Sequence, residues 1–391
     1  MKIAIFSDAF YPAVNGIVSY VLTTVKELSL KGHKIYLFVP ESKIHLPKKT
    51  FNRNVKIYYY KGVRAFFYPD FKFTNILSPN DIVLFKKINP DIVFFQCPFT
   101  MGLKGVVLSK LFKKPLVGVF HTRTAHKDYI SNVGKLSKKI NFEKLVWKYI
   151  KTFYGSCDLL ISPSEDIRKE LYKHKINKNI ITINNFINTS ELKNVSSRIS
   201  IEKNSFVYLG RLAPEKNMYC LIEGFRLVLK ARNDVHLYII GDGPFYEDLK
   251  LFISKNNLET NIHLLGNIDR SIILRTDLLT KFLAIVTMSN TEVQPLSLIE
   301  AMFKGLPIIG PNTSGISELV STNGILVKKD SSIDLSKALL AILNNPSLQK
   351  KLSKETLLKS KNYDSKISIK KLENSFLYII KNKKFKNNNI N

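Results

Sequence analysis

Cysteine is scarce. The 391 residues hold three, Cys97, Cys157 and Cys220. They are odd in number, widely scattered and without metal or redox spacing, so they read as reduced thiols of a cytosolic protein rather than as a disulfide framework. No uninterrupted apolar run reaches the ~18 residues of a membrane span. The opening MKIAIFSDAF lacks the form of a secretory signal, because Asp8 interrupts a very short apolar run. Asp-x-Asp occurs nowhere, which argues against a metal held by such a pair. Acidic residues are few: 31 Asp+Glu face 60 Lys+Arg, for a formal charge of +29.

The excess charge is uneven. Residues 1–200 carry 33 basic and 13 acidic side chains, residues 201–349 carry 15 of each, and residues 350–391 carry 12 and 3. A compositional bias would raise charge everywhere. A neutral middle between two basic ends instead implies a basic surface for an anionic partner, nucleic acid or anionic lipid. Hydrophobic residues make up 45% of the chain, enough for sizeable cores in two or three domains and against global disorder.

The first half reads as alternating strands and helices. Lys2–Ser7 is a buried strand ending in the turn-rich loop Asp8–Gly16. A helix from Ile17 to Leu30 closes at Gly32, and Ile35–Val39 is the next strand. The loop at the first strand's carboxyl end is where open α/β sheets bind ligands, but it is not GxGxxG, so a nicotinamide cofactor gains little support. Gly16 could bring a backbone N–H against a phosphate, or could serve the turn alone. Residues 42–79 look irregular, and interleave Tyr58-Tyr59-Tyr60, Phe66-Phe67-Tyr68 and Phe71 with Lys and Arg. That mixture suits single-stranded nucleic acid or a lipid interface, or a strand Val55–Tyr60 packed on the domain.

Strands Asp91–Phe95 and Leu116–Phe120 follow, the second running into His121, which at a strand's carboxyl end either faces a ligand crevice, where it could bond a substrate hydroxyl, or is a structural histidine. Lys135–Tyr154 is amphipathic. Phe142, Leu145, Val146, Tyr149, Ile150 and Phe153 share one side, Lys144, Lys148 and Lys151 another, and Trp147, the one tryptophan, lies near the boundary. The pattern fits a helix lying in a membrane surface or a packed helix with a solvated lysine face, and the regional charge favours the membrane. After strands Leu159–Ser162 and Ile180–Ile183, the polar stretch 185–203 reads as a linker. The same alternation then restarts: Phe206–Leu209, a helix Tyr219–Lys230, His236–Ile240, Ile262–Leu265 and Leu283–Thr287.

The informative stretch is Ser289–Gly315, SNTEVQPLSLIEAMFKGLPIIGPNTSG. Pro295 can open a helix, because its missing N–H would be unpaired there. Leu296, Ile299 and Phe303 give that helix an apolar face, and Gly305-Leu306-Pro307 stops it before a buried strand. Glu292 then sits on the loop before the helix and Glu300 in its second turn. A carboxylate on such a loop can reach a ligand at the helix N-terminus, and a second can accept from a diol. Gly210 with Arg211 and Lys216 places two cations and a tight turn at one strand end, a clamp for a diphosphate. From Ser331 the chain is helical by pattern, with an amphipathic helix Ile367–Ile380 and a solvated tail Lys381–Asn391.

Taken together, the Asp8–Gly16 loop, His121-Thr122, GRLAPEKN at 210–217, GDGP at 241–244 and the Glu-x7-Glu stretch with Ser314-Gly315 and Glu318 resemble the GT-B retaining glycosyltransferases of family 4. The resemblance spans nearly the whole chain. It implies an α/β fold of two Rossmann-like domains facing a cleft: 1–184 for acceptor and membrane, 204–363 for the nucleotide-sugar donor. A helix and basic tail, 364–391, would return to the first domain. It gives Arg211 and Lys216 the donor diphosphate, Glu300 the ribose and Glu292 the donor sugar. Gly16 would approach the phosphate and His121 the sugar near the reacting carbon. Gly210, Gly243 and Leu296 complete the donor set.

Two departures bear on the sugar: Val293-Gln294-Pro295 replaces the common Gly-Phe-Gly or Gly-Phe-Pro, and Ser314-Gly315 replaces Gly-Gly. The Glu292 context and the basic first half look like the branch that makes monoglycosyldiacylglycerols. The resemblance therefore implies UDP-hexose (glucose or galactose) as donor, no metal or other cofactor, and diacylglycerol as acceptor. The enzyme would be peripheral on the inner face of the cell membrane, held to anionic phospholipid by Lys138, Lys139, Lys144, Trp147, Lys148, Lys151, Phe66 and Phe67. A saccharide acceptor, polyprenyl-linked or surface polysaccharide, is the alternative. A nucleic-acid-binding role leaves the clamp and acidic pair without a purpose, and a glycosidase-like use of the two glutamates leaves the clamp without one.

Overall fold

The computed structural model describes residues 1–13, 15–47, 49–65, 68–123, 142–176 and 179–388, with backbone alone for 65, 68–70, 142 and 384–388. Short apolar runs form the strands of the first unit, which comprises Met1–Asn185 and Ser365–Asn391. These are β1 (Lys2–Phe6), β2 (Lys34–Pro40), β3 (Val55–Tyr60), β6 (Ile92–Phe95), β7 (Leu116–Val119), β8 (Leu159–Ser162) and β9 (Ile180–Thr182). They make one parallel sheet in the order β3-β2-β1-β6-β7-β8-β9. β6, β7 and β8 are buried at every position, as expected of a sheet covered on both faces.

Between β3 and β6 the sequence reading found no order, yet β4 (Gly62–Ala65) and β5 (Tyr68–Thr74) form an antiparallel hairpin. The tyrosine run is structural. Tyr58 stacks on Phe38 with centroids 5.1 Å apart. The Tyr60 hydroxyl donates to Asp81 Oδ1 at 2.7 Å. Asp81 also accepts from Lys104 Nζ at 2.8 Å, a lysine with no exposed side-chain surface, whose Nζ lies 3.8 Å from the Tyr60 ring centroid. A buried lysine is tolerated because a carboxylate and an aromatic face meet it there.

The last helix, Ser365–Asn388, belongs to this unit. It buries Ile369, Leu372, Phe376 and Ile379, and the Phe376 ring meets Phe94 edge to face at 5.1 Å. Glu373 accepts from Lys31 Nζ at 2.8 Å and lies 2.7 Å from His33 Nε2. The tail expected from Lys381 is helix as far as Asn388, and Lys381 and Asn382 are exposed in it. Lys383 pairs with Asp158 at 2.7 Å there, so the cation is anchored rather than free.

The second unit is Phe186–Asp364. Its parallel sheet runs β12 (Ile262–Gly266), β11 (His236–Ile240), β10 (Ser205–Leu209), β13 (Ile285–Val286), β14 (Ile308–Pro311), β15 (Gly324–Val327). The stretch expected as a linker lies on this unit from Phe186 onward. Ile187 is fully buried in its core, with Leu192, Ile199 and Ile201 packed alongside. Lys304 Nζ donates to the carbonyls of Lys193 and Thr276 and to Asn194 Oδ1. Polar composition hid this docking, because the anchor is a lysine over a hundred residues away.

The tryptophan at 147 lies in the first unit, so its fluorescence reports that unit. Phe376→Ala should destabilise it by about 3–5 kcal/mol. The readout is a lower urea midpoint by tryptophan fluorescence at unchanged slope; an unchanged midpoint would mean the terminal helix adds no core.

Candidate active site

In the second unit, adjacent parallel strands deliver their loops to one sheet edge. β11 leads into Gly241–Pro244, β10 into Gly210–Asn217, β13 into the loop before helix Leu296–Phe303, and β14 into Asn312–Gly315. Ligands of open α/β sheets bind outside such carboxyl ends. The loops touch through their backbones. Leu212 N donates to the Asp242 carbonyl at 2.9 Å, and a Cβ on Gly243 would come within 2.2 Å of the Leu212 carbonyl oxygen. Gly243 is thus required for loop contact, whatever it offers a ligand. Gly315 (φ +86) has the same character, since a Cβ there would lie 2.4 Å from the Glu292 carbonyl oxygen and 2.5 Å from that of Val293.

Lys216 closes a short turn, Pro214–Lys216. Its Nζ donates to Glu292 Oε1 at 2.5 Å, both side chains being about 15% exposed at 15% and 16%. The structure therefore brings together two residues 76 positions apart that sequence reasoning placed in one site. Arg211 follows Gly210 at the same strand end, its carbonyl accepting from the Tyr208 hydroxyl at 2.9 Å.

Glu300 sits in the helix as expected, but its Oε1 already accepts from Arg270 Nε at 2.5 Å. Burial pushes its carboxyl above the ordinary range, and Arg270 opposes that rise. Arg270 also lies 3.8 Å from Glu191. Sequence reasoning missed Arg270; nothing around it in Asp269–Arg275 marks it as a partner of a glutamate 30 residues on. Leu296 packs its side chain into the core, so what it can present is its backbone N–H in the first helical turn.

The first unit has its own cluster at the carboxyl ends of β1, β6 and β7, which are neighbours in the sheet. Gly16 begins helix Gly16–Leu30, whose Val18 N–H is capped by Asn15 Oδ1 at 3.0 Å. Asp8 turns away from that loop to cap helix Thr100–Leu111, accepting from Met101 N at 2.6 Å and Gly102 N at 3.1 Å. Burial pushes its carboxyl up to about 7. His121 Nε2 lies 3.0 Å from Gln96 Oε1, and the imidazole meets the Tyr20 ring edge to face at 4.7 Å. Burial pulls His121 down to about 3, so the ring is neutral at physiological pH and acts as a hydrogen-bonding group.

Of the expected membrane residues, Lys138, Lys139, Phe66 and Phe67 lie outside the described residues. Helix Phe142–Tyr154 exposes Lys144, Lys148 and Lys151, with Leu145 at 54% and Tyr149 at 47% exposure. Its apolar side is divided, because Ile150 and Phe153 are buried in the unit. Trp147 stacks on His174 with centroids 3.7 Å apart and planes 7° from parallel. Among the described residues no helix is long and apolar enough to cross a membrane.

Comparison with known proteins bears on both units. Residues 14–191 match the family described as Glycosyltransferase Family 4, and residues 190–358 match Glycosyl transferases group 1. The chain is 26% identical over 373 residues to an alpha-monoglucosyldiacylglycerol synthase of Streptococcus pneumoniae (strain ATCC BAA-255 / R6), covering 91% of this chain and 82% of that one. It is 27% identical over 408 residues to the alpha-monoglucosyldiacylglycerol synthase of Acholeplasma laidlawii, covering 97% and 98%. A GDP-mannose-dependent alpha-mannosyltransferase of Mycolicibacterium smegmatis is 26% identical, covering 84% and 85%. Among solved structures, sucrose-phosphate synthase from Thermosynechococcus elongatus superposes with a TM-score of 0.77 at 16% identity, covering 97% and 99%. Anabaena HepE in complex with UDP gives 0.74 at 16%, covering 97% and 100%. With two Rossmann-like halves and family matches running from residue 14 to residue 358, the chain belongs to the family 4 glycosyltransferases of the GT-B fold.

Proposed function

We propose that this glycosyltransferase moves a hexose, glucose or galactose, from a UDP-sugar to diacylglycerol with retention of configuration, forming α-monoglycosyldiacylglycerol at the inner face of the cell membrane. The observation that carries the reading is the Lys216–Glu292 pair at the carboxyl edge of the second sheet. The two diacylglycerol glucosyltransferases among the relatives, and the UDP-bound structural neighbour, support the choice of acceptor and donor.

The chemistry follows from charge. Breaking the anomeric C–O bond leaves an oxocarbenium-like carbon and a diphosphate that gains negative charge. Lys216 and Arg211 stabilise that leaving group, a role that needs no metal. When diphosphate engages Lys216, Glu292 is freed to accept from hydroxyls of the donor sugar. Neutral His121, at the first unit's own rim, serves as a hydrogen-bonding group rather than as a proton carrier. Same-face attack lets the leaving phosphate take the acceptor hydroxyl's proton, so the protein supplies position and field rather than a nucleophile.

The direct test is label transfer from UDP-[14C]glucose and UDP-[14C]galactose, separately, into diacylglycerol dispersed with anionic phospholipid. Organic-phase label from one donor is expected. UDP binding without such label would move the acceptor to a saccharide. Lys216→Ala should lower kcat by about 10²–10³ while the fold persists by circular dichroism; a near-normal kcat would remove the clamp from the mechanism.

The exposed lysines of helix Phe142–Tyr154 support a peripheral attachment. The protein should sediment with vesicles containing phosphatidylglycerol at low ionic strength and be released by salt. Replacing Lys144, Lys148 and Lys151 together with Glu should abolish sedimentation at low salt, and full retention would place the membrane contact elsewhere.

His121 also sets a pH dependence. Its folded value lies below the ordinary 6.5, so below pH ~6.5 the unfolded chain takes up a proton that the folded chain refuses. Its contribution to stability is complete above that pH and is lost as pH falls toward about 3. Thermal melts of His121→Gln should lose less stability than wild type between pH 6.5 and pH 4.5; parallel curves would show an ordinary histidine.

A further inference from the structure

Two loops supply the Lys216–Glu292 pair, and each is tied beside its charged residue to one distant carboxylate. Asn217, next to Lys216, donates its Nδ2 to Asp330 Oδ1 at 2.8 Å. Asn290, two residues before Glu292, donates its Nδ2 to the same oxygen at 2.6 Å. Ser289 Oγ adds a longer bond, 3.4 Å, to the Glu215 carbonyl. Asp330 lies in the turn between β15 and helix Ser332–Asn344, in the left-handed region at φ +56.

From this we infer that Asp330 is a positioning residue for the donor site: it staples the lysine-bearing loop to the glutamate-bearing loop and so fixes the spacing of Lys216 and Glu292. The inference rests on the donor-site reading above. One carboxylate oxygen accepting from two amides is a charge-assisted junction, stronger than two neutral bonds. It also fixes how the Asn290 amide is turned, because the reverse orientation would set its oxygen against a carboxylate. Asn290 Oδ1 is then buried without a partner among the described residues, and so is Thr291 Oγ1. Buried oxygens of this kind are completed by a bound group carrying donors, and sugar hydroxyls are such groups. Asp330 itself touches neither Lys216 nor Glu292 by any bond seen here, so its effect passes through the two asparagines.

The left-handed backbone dictates the variants. Asp330→Gly removes the carboxylate while suiting φ > 0, and Asp330→Asn keeps an acceptor at a conformation Asn tolerates. UDP affinity is measured by calorimetry, and the rate of Lys216 acylation by an N-hydroxysuccinimide ester is followed by peptide mass mapping. In Asp330→Gly the UDP Kd should rise about tenfold, the free-energy scale of one charged hydrogen bond, and Lys216 should acylate faster. Asp330→Asn should restore most of both. A merely structural Asp330 would lower the melting temperature of the glycine variant with Kd and acylation unchanged, and that result overturns the inference. If wild type binds no UDP, the donor-site reading fails instead, and the acylation rates alone decide: faster labelling in the glycine variant upholds the staple, equal rates discard it.

Discussion

Parallel pairing is the constraint on which the rest depends. In a parallel sheet every strand points its carboxyl end the same way, so each loop that follows a strand emerges at one edge. The second unit exploits this with β11, β10, β13 and β14 side by side. Residues from 210 to 315 thereby share a rim only a few strand widths across. The first unit does the same with β1, β6 and β7, bringing Asp8, Gln96 and His121 to its own rim. Chemistry in such a fold needs no special device to gather residues distant in sequence. It needs strands buried on both faces, and the apolar runs IVFF, LVGV and LLIS provide them.

Loops at such an edge must approach one another, which explains the glycines better than flexibility does. Gly243 and Gly315 each occupy a place where a methyl group would strike a carbonyl oxygen of the neighbouring loop. The contact at Gly315 is with the backbone of Glu292 and Val293 themselves. Any larger residue there would push the loop carrying Glu292 away from its rim. The Ser314-Gly315 pair thus retains the one glycine whose absence would move the site, and replaces the other.

Much of this was legible because strand-forming runs and loop signals are local. The βαβ opening, the two halves and the placing of Glu292 before a helix all follow from patterns within about 15 residues. What escaped was set by partners far along the chain. The hairpin from Gly62 to Thr74 looked irregular, since aromatic and basic residues alternate there without a clean apolar face. The Tyr58–Tyr60 run offered three readings, and the packed one holds because Phe38, Asp81 and Lys104 arrive from other elements. Likewise Glu300 gave no hint of Arg270, nor 185–203 of Lys304. Side-chain pairing across the fold has no sequence period, so no pattern could disclose it.

Two charged pairs of the second unit, Lys216–Glu292 and Arg270–Glu300, differ in which member meets solvent. Glu300 and Arg270 meet where the carboxylate is almost wholly covered, and burial already raises the carboxyl against the pull of the guanidinium. Breaking that pair would strand a buried charge, so it favours staying closed. Lys216 and Glu292 share their residual exposure evenly, at 15% and 16%, whereas in the other pair Arg270, at 26%, meets solvent and Glu300 is covered. On the proposed reading an anionic ligand takes Lys216, and the glutamate it releases is an acceptor already in place. On the proposed reading the pair whose carboxylate stays reachable is the one that meets a substrate, while Arg270 ties helix Arg270–Arg275 to the covered Glu300 of helix Leu296–Phe303.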